Sequence, residues 1–167
     1  MTTSGTPPRG GDGPHLPVGD TLRDAGSFRT EIVLRASEYW YGKLSGNRLP
    51  ARADIRPEEI LPILPHVFLV DVSYQPLAFK FRLIGTEIDR LAARSYTGAG
   101  VNETEYARDW ERIHEQYRNV IETRAPRLDI NNAVWTGREF ISYERFIAPL
   151  SSDGDVIDAL FGALHPV

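Results

Sequence analysis

The sequence predicts an α+β domain built on an antiparallel sheet, and three observations lead there. Segments rich in β-branched and aromatic residues fall into a pair (66–72 and 79–85) and a later group of three (127–135, 138–150 and 155–164). Two stretches with apolar residues at helical spacing lie before and between those groups. Strands that cluster, with no helix between successive members, pair antiparallel.

Residues Met1 to Gly26 hold six Gly and four Pro with almost no large apolar side chain. Such a segment cannot repay the entropy of ordering, so it reads as a flexible tail. Order is expected from Ser27, a suitable helix N-cap, into "FRTEIVLRASEYWYGKLSG". Phe28, Ile32, Ala36, Tyr39 and Lys43 recur at helical spacing, and Val33, Trp40 and Leu44 widen the stripe. Two uses of that stripe stay open: packing on its own domain, or serving a second subunit through Phe28, Ile32, Val33, Trp40 and Leu44. Gly46 and Asn47 supply the stop.

Pro57 followed by Glu58 and Glu59 opens a short helical turn, since proline has no N–H to lose there and the acids suit the positive end of the dipole. Pro62 and Pro65 prevent a long continuation. "HVFLVDV" and "FKFRLIG" then read as a hairpin with Phe79, Phe81 and Leu83 on one face and Lys80 and Arg82 on the other. The chain is thereby divided into a tail (1–26), a helical extension (27–65) and the sheet domain (66–167).

The turn at Gly85 combines a strand, a glycine and a helix, as phosphate-binding loops do. No Gly-Lys-Ser/Thr follows it, and no dinucleotide fingerprint is present. Thr86 to Asp89 instead matches a capping box, with Gly85 letting the chain leave the strand sharply, so the turn is structural. A firmer helix is expected over about 105–123, where Tyr106, Trp110, Ile113, Tyr117, Val120 and Ile121 share one face and Pro126 closes it. The last three strands are joined by Thr136-Gly137 and by Ser151 to Gly154.

Composition removes several functions. The net charge of −4 and the lack of a basic stripe argue against nucleic acid. The chain has no cysteine, which removes disulfides, thiolate nucleophiles, cysteine-held zinc and a flavin–cysteine adduct. No run approaches the ~20 apolar residues of a membrane span, and the cytoplasm is the expected location. His15, His66, His114 and His165 show no metal-ligand spacing, and no Gly-x-Ser-x-Gly elbow occurs. Asp71, Asp129, Glu144 and Asp158 fall on predicted strands, where Glu144, Arg145 and Asp158 suit cross-strand ion pairs.

In order and spacing, "LPARADIRPEEILPILPHVFLVDV", "FKFRLIGTEIDRL", "YTGAGVNE" and "YERFIAPLSSDGDVIDALFGAL" resemble small single-domain bacterial proteins of the PAS family. The likeness covers about 39–164. It implies a five-stranded antiparallel sheet with helices across one face and a ligand cavity between them. It also implies a non-enzymatic sensory module that acts through a small metabolite, a homodimer, or a signalling partner such as a histidine kinase or regulator. Haem-binding members use a histidine on the longer helix; His114 is the residue at issue here, and it sits about 100° round from Ile113, facing partly outward. Phe81, Trp110, Tyr117, Trp135, Tyr143 and Phe161 are the expected cavity wall, with Asn131, Asn132 or Arg82 as polar groups. The alternative is a cone-shaped α+β enzyme, an isomerase or dehydratase, in which His66 meets a buried acid.

Overall fold

The computed structural model describes residues 28–93, 95, 97–100, 107–133 and 138–167. The expected tail 1–26, the Ser27 cap, Tyr106 and the Thr136-Gly137 turn lie outside the described residues. The sheet contains β1 (Val67–Ser73), β2 (Ala78–Ile84), β3 (Arg127–Ala133), β4 (Arg138–Leu150) and β5 (Ala159–Pro166). Every pairing is antiparallel and the order across the sheet is β2-β1-β5-β4-β3, so the first hairpin docks on the last strand of the meander. Three α-helices accompany it: α1 (Glu31–Gly42), α2 (Thr86–Ala92) and α3 (Ala107–Thr123). The expected α+β class and five-stranded antiparallel sheet are what the chain adopts.

Directly paired residues share a face of a sheet, so the register sorts the side chains into two sets. Phe68, Gly162, Ile147 and Arg127 form one row on the front, and Tyr143 and Asn131 another. The front carries α2 and α3. On the back, Leu69, Phe161, Ala148 and Phe146 meet α1: Tyr39 lies 6.1 Å from the Phe161 ring and Trp40 lies 6.3 Å from Phe146. Helices therefore cover both faces, α1 being the extension that takes the second.

Helix α1 starts at N-cap Thr30, three residues later than expected, with Thr30 Oγ1 accepting from the Val33 N–H at 3.3 Å. Its entry is held from the sheet. Glu144 accepts from the Arg29 N–H at 2.8 Å through one oxygen, and from the Thr30 N–H and hydroxyl, each at 2.9 Å, through the other. Trp40 donates its indole N–H to the Pro149 carbonyl at 3.1 Å. Val33 and Trp40 are fully buried on this chain's own sheet, and Phe28, Ile32 and Leu44 pack partly buried against the same core. Of the two uses left open for the stripe, Val33 and Trp40 take the first, and as interface residues they are corrected: neither has surface left for a second subunit.

Three local readings change. The cap of α2 is Gly85, not Thr86; the Asp89 N–H bonds the Gly85 carbonyl at 3.1 Å, so no capping box forms. Gly85 has φ −66°, which any residue adopts, but a Cβ there would stand 2.2 Å from the Pro65 carbonyl oxygen. The glycine is required by close backbone approach. In β2 a bulge opposite Leu69/Val70 moves Leu83 to the back, opposite Leu69, and turns Ile84 to the front. Asp158 precedes β5 and does not pair with Glu144 or Arg145, which point to opposite faces.

Candidate functional site

Between the front of the sheet and α2 and α3 lies a cavity of about 30 Å³. β1 supplies Phe68; β2 supplies Phe81 and Ile84; α2 supplies Ile88; α3 supplies Trp110, Ile113 and Tyr117. β4 and β5 close it with Tyr143, Arg145 and Leu164. The helical period explains the α3 contribution, since positions 110, 113 and 117 stack on one face. Rings set the wall geometry: Phe81 meets Trp110 edge-on at 5.5 Å and Phe79 meets Tyr117 at 5.3 Å.

Arg145 is the charged member of this wall and is 2% exposed. Its Nη2 donates to Gln116 Oε1 at 2.6 Å and to Asp129 Oδ2 at 2.8 Å, while the guanidinium lies over the Tyr117 ring at 5.6 Å. Asp129 is heavily used: Oδ2 also accepts from Arg127 Nε and Oδ1 from Asn131 Nδ2, each at 2.6 Å. Asn131 Oδ1 in turn accepts from Arg112 Nη1 and Gln116 Nε2, each at 3.1 Å. Burial opposes a charge on Arg145, yet Asp129 beside it holds the guanidinium pKa above its ordinary value. Burial pushes the Tyr117 hydroxyl well above the usual phenol range, against the pull of Arg145. The site thus presents a fixed cation, a neutral phenol and an apolar wall.

Of the residues expected at the cavity, Phe81, Trp110, Tyr117 and Tyr143 line it. Phe161 does not; one residue along β5 from the front-facing Gly162, it lies on the back with Tyr39. Asn132 pairs opposite Ser142 and is exposed on the back, whereas Asn131 is buried in the Arg145 network. Arg82 is half-exposed, 3.5 Å from Asp71. Trp135 lies outside the described residues. Arg145 belongs to this wall and not to a surface ion pair; the signal for its place is the alternation along β4, which puts 143, 145 and 147 on one face.

His66 sits at the foot of β1 with its ring 4.9 Å from that of His165. Burial and the charge of His165 depress its pKa, while Glu87 pulls the other way. Neither histidine belongs to the cavity wall. His114 packs edge-on against Phe79 at 4.8 Å, and burial lowers its pKa as well. The residues present do not fit a haem or a flavin: the cavity volume is a small fraction of the ~300–1,000 Å³ that such ligands occupy, and His114 is turned to Phe79. Among the described residues no cluster of three or more His, Asp or Glu could hold a metal, and no helix is long and apolar enough to cross a membrane.

The site and the β2-β1-β5-β4-β3 sheet define an α+β domain with an internal pocket between sheet and helices. The family profile described as PAS domain matches residues 29–165, and the chain belongs to that family. The match begins before α1, so the helix on the back lies within it. No curated protein matches the chain. Among solved structures, one described as "Flavin Analogue Sheds Light on Light-Oxygen-Voltage Domain Mechanism" is similar at 15% identity. The similarity covers 66% of this chain and 82% of that one, with a TM-score of 0.45.

Proposed function

We propose that the chain is a non-enzymatic sensory module of signal transduction that binds a small molecule between the sheet and α3 and passes its state to a protein partner. Membership of the PAS family supports the sensory role. One observation supports ligand binding: a cavity walled mostly by apolar and aromatic groups has a buried, charged arginine in its wall. Burying a cation is costly, and filling that volume with carbon would be the cheaper way to complete a core. A second copy of this chain, or a kinase or regulator, is the receiver, met through surfaces other than the buried Val33 and Trp40.

Native mass spectrometry of protein purified from its own cells tests the reading. It reports retained small molecules and subunit number together. A retained mass of metabolite size, lost on denaturation, is the expected result. A bare chain that also shows no thermal stabilisation by a metabolite library would leave an adaptor with a filled core.

A further inference from the structure

The Arg145 side chain is bonded at one end only. Nη2 is engaged by Gln116 and Asp129, but Nε, itself buried, has no acceptor among the described residues. An N–H buried without a partner costs about 1–3 kcal/mol. Arg145 forms part of the cavity wall, so the cavity is where an acceptor can stand. Charge points the same way. The single carboxylate of Asp129 is shared between Arg127 and Arg145 through the same oxygen, and its other oxygen is taken by Asn131. Among the described residues the positive charge of Arg145 is therefore only partly balanced.

The rest of the wall restricts what can supply the balancing charge. Phe68, Phe81, Ile84, Ile88, Ile113 and Leu164 offer no donors, and Trp110, Tyr117 and Tyr143 bring only neutral groups, so a phosphate dianion would face a single cation. A metal cation would be repelled by the excess charge. A monoanion whose remainder is apolar suits both parts.

Resting on the sensor reading above, we infer that the cavity takes a small monocarboxylic acid. Its carboxylate accepts from Arg145 Nε, and a remainder of one or two carbons lies against Phe68, Ile88 and Leu164. Charge-assisted hydrogen bonds are short and about twice as strong as neutral ones, so the carboxylate is the part that sets affinity.

Titration calorimetry on the full chain with acetate and with its neutral isostere acetamide tests this. The acid is expected to bind at least about tenfold more tightly than the amide. The Arg145 Nε–H resonance of ¹⁵N-labelled protein should shift with the acid alone. Arg145→Met should bring the two ligands within about twofold of each other. Should that variant fail to fold, the acid-to-amide ratio and the Nε–H shift of the unaltered protein decide. Equal binding of acid and amide overturns the carboxylate assignment and leaves the cavity reading intact. Binding of neither probe overturns the assignment too, and a metabolite retained in native mass spectrometry would then show that the cavity reading survives it.

Discussion

Glu144 and Arg145 are neighbours on β4, both almost fully buried, and they illustrate two ways of burying a charge. On the back of the sheet, Glu144 takes three hydrogen bonds from two consecutive residues at the entry of α1, both oxygens engaged. On the same face, Trp40, Phe146 and Phe161 are fully buried, and none of them lines the cavity. On the front, Arg145 is compensated at Nη2, left with a bare Nε, and set beside a hollow. The back is a finished core. The front keeps both space and an unmet donor, which is what a site needs and a scaffold avoids.

The sharpest break of this contrast is Trp40→Ala. Removing a fully buried indole and its bond to Pro149 should cost about 3–5 kcal/mol in denaturant unfolding. A loss below about 1 kcal/mol would mean that α1 is not integral to the core. A polar residue at Trp40 or Val33 should unfold the protomer, where a subunit contact would merely have dissociated.

Glu144→Gln comes next. One amide oxygen cannot serve donors on both sides, so about 1–3 kcal/mol should be lost, with faster hydrogen exchange at Ile32 to Leu34 as the local sign. Exchange unchanged at those residues would remove Glu144 from the holding of α1.

Gly162→Ala probes the front. The added Cβ would stand 2.2 Å from Phe68 Cζ, so the ring must turn toward the cavity it lines. Overpacking of this kind costs about 1–3 kcal/mol, at the low end here because the hollow can absorb the ring. A smaller cavity and weaker acetate binding should accompany it.

The smallest effect is that of pH. The His66 pKa lies below its ordinary 6.5 in the folded chain through burial and His165, so folding favours the neutral ring. Its contribution is complete above about pH 6.5 and is lost as pH falls from there through the folded pKa. Unfolding free energy should therefore decline on acidification below about pH 6.5, by at most about 1 kcal/mol because water screens a half-exposed pair. His165→Gln should flatten the decline; an unaltered slope would discard the pair as its source.

The α+β sheet is legible in the sequence because the β-branched and aromatic runs at β4 and β5 and the period-3.6 pattern at α3 agree with the tertiary burial. Phe81, Trp110, Tyr117 and Tyr143 follow from the same patterns. Phe161 and Leu83 fall on the other face from the one expected, for different reasons. Alternation fixes which residues share a face but not which face is the front, and the β2 bulge shifts the period with no glycine to mark it. Arg145 is hidden because a charged residue on a strand reads as solvated, and its partners Asp129 and Gln116 are supplied by two other elements. The role of Gly85 depends on the backbone of Pro65, which is distant in kind from any local turn rule.

Consecutive side chains leave a strand on opposite sides, so Glu144 and Arg145 are the two arms of one lever whose pivot is a single peptide unit. A roll of β4 about its own axis that carries the Arg145 arm one way across the sheet carries the Glu144 arm the other way, and with it the backbone of Arg29 and Thr30 that the carboxylate grips. Interior and periphery are thereby separated by the thickness of one strand, with no relay of intervening residues required between them.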